Sequence, residues 1–258
     1  MASGACCHLG RDHMNPLLQL DNIRSVLIRQ EETIIFALVE RAQFRVNAPV
    51  YQPGGIAIPD FDGSFVEYLL HGTEVLHAKV RRFQSPDEHP FSADLPGPLL
   101  QAIDHGSPLV PNTININARI KALYEEIIVP EICVPGDDEQ YGSTAVCDVA
   151  CLQALSKRIH YGKFVAESKF RSDPATYAAC IKVGDAGRLM ELITDPAVEE
   201  KLLARVRRKA AAYGQDLTEP SGEYKIAPEF VAALYRDHII PLTKDVEVAY
   251  LLQHPVNG

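Results

Sequence analysis

Prolines and capping residues divide this 258-residue sequence into segments, and the long proline-free segments place apolar residues with helical spacing. Asn15 precedes Pro16, and the next proline is Pro49, so we expect one long helix from Pro16 to about Asn47. Its apolar residues recur at intervals of three, four and seven, and they are Leu20, Ile23, Leu27, Ile34, Leu38 and Ala42. The period-two alternation typical of strands is almost absent, with residues 113–117 as a short exception. The sequence therefore predicts an all-α fold.

Further helices are expected wherever proline-free segments resume this spacing. They cover residues 64–83, 115–129, 143–170, 174–183, 196–213 and 228–252, the last interrupted at Pro241. Residues 48–63 and 87–111 are rich in proline and glycine, so we expect loops with at most short helical turns there. We expect a single-domain helical bundle with long helices over residues 16–258 and a flexible N-terminal segment over residues 1–15.

Composition and motifs exclude several classes of function. The 25 Lys and Arg against 34 Asp and Glu give a formal charge of −9, which argues against nucleic acid as a partner. No run approaches the roughly 18 apolar residues that a membrane span needs. The glycine-rich dinucleotide pattern, the P-loop and the H-E-x-x-H pattern of zinc hydrolases are missing. We therefore expect neither a nucleotide nor a metal site.

The cysteines and the N-terminal residues indicate a cellular compartment. No C-x-x-C and no paired Cys/His spacing occurs among the six cysteines, which are Cys6, Cys7, Cys133, Cys147, Cys151 and Cys180. We expect reduced thiols without a disulfide. Residues 1–15 show neither the apolar core of a signal peptide nor the Arg/Ser-rich pattern of a transit peptide, so we expect a cytosolic protein.

Two cations share one face of the segment 143–170. Arg158 and Lys169 are eleven residues apart, which is about three full helical turns, and Gly162 and Val165 lie between them on the same face. A small residue between two cations leaves space that suits an anion. The alternative is a solvated basic stripe, and spacing alone favours it because charged residues on helices are usually exposed.

A carboxyl group stands among apolar residues near the C-terminus. Thr243 and Glu247 form an i, i+4 pair just after Pro241, and Glu247 is flanked by Val246 and Val248. If this carboxyl group is desolvated, its pKa rises and it can donate a hydrogen bond near neutral pH. The alternative is an exposed helical glutamate.

Several runs of residues resemble the plant and fungal chorismate mutases. The resemblance extends from about Leu17 to Gln253, is most similar to the cytosolic plant form, and rests on residues 20–24, 81–88, 151–170, 197–201 and 240–252. It implies an all-helical homodimer that converts chorismate to prephenate by an intramolecular Claisen rearrangement, without a cofactor or a covalent intermediate. An inactive helical dimer that retains an anion pocket as a binding or scaffold protein is the alternative.

The resemblance implies a role for individual residues in binding and catalysis. Arg24 and Arg158 match the arginines that hold the two carboxylates of the substrate, and nothing local distinguishes Arg24 from an ion-paired surface residue. Lys169 matches a lysine, and Glu247 a glutamic acid, that both donate to the ether oxygen.

Three further positions match residues that contact the substrate in the family. Glu199 matches the acid that engages the ring hydroxyl, and Thr243 matches a hydroxyl that lines the pocket. Asp195 falls where fungal members carry asparagine, so its alternative role is to cap the helix that positions Glu199.

The resemblance extends to part of a regulatory site at a dimer interface, where tyrosine inhibits and tryptophan activates. The matching residues are Arg81, Arg82, Gly142 and Ser143, although from local sequence the arginine pair simply caps a helix. Val146 stands where the fungal pattern has threonine, and Glu139 adds a negative charge near the place of an effector carboxylate. Both changes weaken effector binding in principle. We expect weak or absent sensitivity to aromatic amino acids.

Overall fold

A computed structural model describes residues 16–101, 106–215 and 224–256, and these residues form an all-α fold. Its helices are α1 Leu20–Arg41, α2 Phe65–Lys79, α3 Asn117–Leu123, α4 Val129–Ile132, α5 Tyr141–His160, α6 Gly162–Ser172, α7 Pro174–Val183, α8 Ala186–Ile193, α9 Pro196–Gly214, α10 Pro228–Leu234 and α11 Ile240–Leu252. Extended pairing within the described ranges is limited to isolated bridges. The predicted fold class is confirmed, whereas the segment expected to be flexible, residues 1–15, lies outside the described residues.

The first two helices end earlier than the proline spacing predicts. α1 ends at Arg41 instead of Asn47. The Arg41 guanidinium donates to the carbonyl oxygens of Arg45 and Val46 at 3.0 Å, so the chain turns back just after the last helical turn. α2 begins after Ser64, which forms a capping box with Glu67, and it ends at Lys79.

The predicted helix over residues 143–170 is two helices with a break at Tyr161. Sequence spacing continues across this break, so periodicity did not indicate it. α8 was missed altogether because it is only eight residues long. The signals for α8 were Gly184, which ends α7 at a φ of 68°, and Asp185, whose side chain accepts a hydrogen bond from Arg188 N.

Two helices pass through a proline by widening into a π-helical turn. Residues Tyr124–Ile128 and Tyr235–Ile239 are π-helical, and each stretch begins six residues before a proline, Pro130 or Pro241. Proline lacks an N–H group and crowds the carbonyl four residues earlier, so a wider turn relieves both problems. Pro130 therefore does not end its helix as expected, since α4 continues to Ile132.

α5 runs through the middle of the core and brings the functional helices together. It packs against α1 and α2 along its length and against α6 and α11 near its C-terminal end. α11 also packs against α6 and α8, and α9 packs against α1 and α10. Within the described ranges, no helix is both long and apolar enough to cross a membrane.

Candidate active site

Charged side chains from four helices approach one another around the C-terminal ends of α5 and α6. α5 supplies Arg158, α6 supplies Lys169, α9 supplies Glu199, and α11 supplies Thr243 and Glu247. The sequence predicted that Arg158 and Lys169 share a face, and the structure brings Thr243 and Glu247 of α11 against that same face.

Gly162 allows α6 and α11 to approach closely. A Cβ atom at this position would lie 2.8 Å from the carbonyl oxygen of Thr243 and 3.2 Å from Cγ of Glu247. A backbone oxygen cannot move aside as the end of a flexible side chain can, so a larger residue would force the helices apart. Gly162 therefore sets the distance between the helix that carries Lys169 and the helix that carries Glu247.

Lys169 and Glu247 form a donor pair, meaning two adjacent side chains that are held in place and can each donate a hydrogen bond to a ligand. The Lys169 Nζ atom donates to the carbonyl oxygen of Ile193 at 2.6 Å and to Oε2 of Glu247 at 3.2 Å. The Ile193 carbonyl belongs to the last residue of α8, so the helix that the sequence did not reveal helps to orient this lysine.

The Glu247 carboxyl group is buried, which settles the question left open by the sequence. Burial raises the pKa of Glu247, and the positive charges of Lys169, Arg158 and Lys244 lower it, with burial prevailing. Desolvation favours the neutral acid. The group therefore holds its proton to a higher pH than an ordinary glutamate, and in that form it can donate a hydrogen bond.

Arg158 is a buried cation without a carboxylate partner among the described residues. The residue is 3% exposed, its Nη1 atom donates to Oγ1 of Thr243 at 3.4 Å, and its Nε atom is buried without a hydrogen-bond partner in the described part of the chain. Thr243 is held in turn by a 2.6 Å hydrogen bond to the carbonyl oxygen of Ile239. A solvated basic stripe is excluded for Arg158. A buried guanidinium in this state favours the binding of an anion.

The N-terminal turn of α9 supplies the acidic side of the cluster. The Asp195 side chain accepts hydrogen bonds from Ala197 N at 3.1 Å and Val198 N at 3.2 Å, so it caps α9. Glu199 follows in the first turn, and its Oε1 atom lies 2.5 Å from Nζ of Lys244. The structure thus shows Asp195 in the geometry of a helix cap, which was the alternative to direct contact with the substrate.

Arg24 is the predicted site residue that the structure does not bring to the cluster. Its side chain is 57% exposed and pairs with Asp21 at 3.3 Å. The short turn just before its helix nevertheless adjoins α6, because the Ser168 Oγ atom donates to the carbonyl oxygen of Leu18 at 3.0 Å. Lys244 is the residue that the sequence reasoning missed; the available signal was a cation three residues before Glu247 on the same helix.

The residues matched to a regulatory site occupy two separate places. Two nitrogen atoms of the Arg82 guanidinium are engaged: Nε contacts Glu88 at 3.1 Å, and Nη1 contacts His77 Nδ1 at 2.8 Å and Gln153 Oε1 at 2.9 Å. Arg81 donates to the carbonyl oxygen of Gln101. Gly142 and Ser143 are exposed in the first turn of α5, and no hydrogen bond between described residues joins them to either arginine.

Comparisons with known proteins identify relatives along most of the chain. The family model described as chorismate mutase type II matches residues 140–248. Chorismate mutase 1, chloroplastic, from Petunia hybrida is 53% identical over 243 residues, which cover 91% of this chain and 75% of that protein. The crystal structure of a chorismate mutase from Candida albicans in complex with L-Trp superposes with a TM-score of 0.88 at 45% identity, covering 95% of each chain. The structure of AtCM1 with tyrosine bound in an allosteric site gives a TM-score of 0.83 at 49% identity over 93% of this chain and 97% of that one.

Proposed function

The chain belongs to the chorismate mutase family and converts chorismate to prephenate, and we propose that the reaction takes place at the cluster on α5, α6, α9 and α11. The observation that carries this proposal is the donor pair of half-buried Lys169 and buried Glu247, beside a buried Arg158 without a carboxylate partner in the described residues. Membership of this enzyme family also argues against the alternative of an inactive, anion-binding scaffold protein.

The rearrangement needs charge stabilisation and a folded substrate rather than a nucleophile. One C–O bond breaks while one C–C bond forms within the same molecule, so atoms balance without a co-reactant or an exchanged proton. Negative charge grows on the ether oxygen as the C–O bond breaks, and Lys169 Nζ and the protonated carboxyl of Glu247 donate hydrogen bonds to it. A millionfold acceleration corresponds to about 8 kcal/mol, which such donors and conformer restriction together supply.

The arginines hold the two carboxylates of chorismate and thereby select the folded conformer. Arg158 binds one carboxylate, and its hydrogen bond to Thr243 fixes the direction of the guanidinium. Arg24 binds the other carboxylate after it leaves Asp21, an exchange that costs little because exposed ion pairs are weak. Glu199 accepts the hydrogen bond of the ring hydroxyl, and Asp195 acts as the cap that positions Glu199.

Lys169→Ala tests the proposed site. We expect kcat to fall by about three orders of magnitude, because a preorganised donor to the developing charge is lost, while the fold remains. Loss of chorismate absorbance measures the rate. Lys121→Ala is the matched control, since Lys121 also has carboxylate partners, Glu67 and Glu125 at 3.1 Å, but lies on α3 away from the cluster. A loss of less than tenfold for Lys169→Ala would remove this lysine from the mechanism.

We further propose that the protein is a homodimer built from one domain, residues 16–258. Large apolar side chains stand exposed on the outer face of α2 and beside its end: Leu76, Val80 and Leu99. The Leu99 N–H group donates to the carbonyl oxygen of Lys79 at 2.9 Å, which holds Leu99 beside the end of α2. Exposed large apolar side chains grouped in one region are typical of a protein interface.

Regulation by aromatic amino acids is proposed to be weak or absent. The Arg82 guanidinium is already engaged by Glu88, His77 and Gln153, so an effector carboxylate would have to displace them. Val146 is exposed but offers no hydroxyl group. Titration of tyrosine and tryptophan into the assay should change the rate by less than twofold; strong inhibition or activation at micromolar concentrations would contradict the proposal.

A reducing compartment, and specifically the cytosol, is proposed as the location. Within the described ranges the cysteines are free thiols, namely Cys133, Cys147, Cys151 and Cys180. The Petunia relative is a chloroplastic protein. Imaging of the full chain with a fluorescent tag at its C-terminus distinguishes the two compartments.

A further inference from the structure

We propose that Lys244 is a positioning residue, whose ion pair with Glu199 aims the free oxygen of that carboxylate at the ring hydroxyl of chorismate. The inference rests on the proposed active site, in which Glu199 contacts this hydroxyl. It adds to that site a residue which acts through Glu199 and does not itself touch the reacting atoms.

The geometry fixes Glu199 from two directions. Its backbone N–H donates to the carbonyl oxygen of Asp195 at 3.0 Å, so the helix cap holds the main chain. The Lys244 Nζ atom lies 2.5 Å from Oε1, so α11 holds the side chain. Among the described residues Oε2 has no hydrogen-bond donor, and it remains available to accept from a ligand.

The exposure of the two side chains fits a positioning role. Lys244 is 18% exposed and Glu199 is 29% exposed, so the pair is only partly shielded from solvent and a ligand can still reach it. A fully exposed pair would fluctuate and contribute little. A partly desolvated, short contact with an ionised partner is stronger and holds one geometry.

Lys244 also acts on Glu247, which lies three residues further along α11. The cations that face Glu247 are Lys169 on α6, Arg158 on α5 and Lys244 on α11 itself. Tyr177 on α7 also faces it, and Tyr235 of the π-helical turn lies next to Arg158. From α8 the Ile193 carbonyl oxygen accepts a hydrogen bond from Lys169. Each cation lowers the pKa of Glu247. Removing the charge of Lys244 therefore raises this pKa, so Glu247 keeps its proton to a higher pH.

The proposal predicts two changes that a merely structural role would not produce together. In Lys244→Met, KM for chorismate should rise about tenfold, with a smaller effect on kcat, because Glu199 is no longer oriented. The alkaline decline of activity should also move to higher pH. In Lys244→Arg, which keeps the positive charge, KM should stay within a few fold of the wild-type value. Lys121→Met serves as the control and should leave KM and the pH profile unchanged.

A double-mutant cycle shows whether Lys244 acts through Glu199. Glu199→Gln alone should raise KM by a similar factor, and adding Lys244→Met should raise it by less than a further twofold. Additive effects would overturn the proposal, because they would mean that Lys244 contacts the substrate independently. An unchanged pH profile in Lys244→Met would overturn the link to Glu247.

The same set of variants separates this proposal from the proposed active site. If Lys169→Ala and Glu199→Gln both behave as wild type, the site itself is wrong. If those two variants lose function while Lys244→Met matches Lys121→Met, only the role of Lys244 fails. The urea midpoint of each variant, measured alongside, identifies any change that arises from unfolding.

Discussion

Two arginines matched to the same role occupy opposite environments in the folded chain. Arg158 is buried next to Thr243, whereas Arg24 is exposed and paired with Asp21. Each residue stands in a stretch that mixes polar and apolar residues, and its immediate neighbours do not reveal its burial. The difference arises because Arg158 lies near the C-terminal end of the central helix α5, while Arg24 lies in the exposed first turns of α1.

Arg158→Lys should weaken substrate binding more than its retained charge suggests. Lysine cannot form the planar, bidentate contact with a carboxylate that a guanidinium forms, so KM should rise at least about tenfold. Steady-state kinetics measure the change. Arg119→Lys is the matched control, because Arg119 is exposed and pairs with Asp245 on the surface. A KM within twofold of wild type would contradict carboxylate binding by Arg158.

Part of the site could be predicted from residue spacing alone. A spacing of eleven residues predicted that Arg158 and Lys169 lie on one face, and both side chains reach the cluster although the helix breaks at Tyr161 between them. Gly162 was expected to leave space for an anion, whereas α11 fills the space beside it. The partners of Lys244 and the final position of Arg24 could not be predicted. They depend on how α9 and α1 approach the cluster, and that approach is set by packing across the whole bundle.

At the scale of helices, the contact between α6 and α11 determines the active-site geometry. Gly162→Ala places a methyl group 2.8 Å from a backbone oxygen, so the helices must separate. We expect a loss of about 1–3 kcal/mol in the free energy of unfolding and a larger relative loss in kcat, because Lys169 moves away from Glu247. Urea unfolding and steady-state kinetics measure both effects.

Gly187→Ala provides the comparison for this prediction. Gly187 lies in the first turn of α8, and its nearest neighbour to an added Cβ is an Asp185 oxygen at the ordinary distance of 3.6 Å. This variant should be neutral or slightly stabilised, since alanine reduces the entropy of the unfolded chain. Equal stability of the two variants would show that the close approach at Gly162 is not limiting.

The helical type of the elements followed from the sequence, but their number and their ends did not. Capping signals at Ser64 and Asp195 placed two helix starts correctly. The break at Tyr161 and the continuation through Pro130 were missed, since both depend on tertiary contacts or on a π-helical turn that apolar periodicity does not encode. Helical propensity thus determines that a segment is helical, whereas tertiary packing determines where the helix ends or breaks.

For the whole molecule, net charge and local potential have opposite signs. The chain carries −9, yet the proposed substrate is a dianion and the cluster contains Arg158, Lys169 and Lys244. Net charge is the sum of all charged groups of the chain, whereas the electrostatic potential in a small cavity depends on the few charges that line it. The composition therefore excludes polyanionic partners more securely than it excludes a small anionic metabolite.

The proposed dimer is tested at the exposed face of α2. Leu76→Glu places a charge on a side chain that is 64% exposed in the single chain, and we expect it to convert a dimer into monomers at micromolar concentration. Light scattering after size exclusion measures the mass. Val183→Glu on α7, where the side chain is 77% exposed, should leave the mass unchanged. A monomeric wild-type protein, or a Leu76→Glu variant that stays dimeric, would contradict this interface.

The central claim is that protonated Glu247 donates to the ether oxygen in the transition state. Burial raises the pKa of this carboxyl group above its ordinary range, so wild-type activity should decline as rising pH removes the proton. In Glu247→Gln the amide donates at every pH, so activity should persist and the alkaline decline should flatten. The most direct measurement is the pH profile of kcat/KM for the wild type and this variant. A flattened profile is the predicted result, and a variant with the wild-type decline would contradict the account.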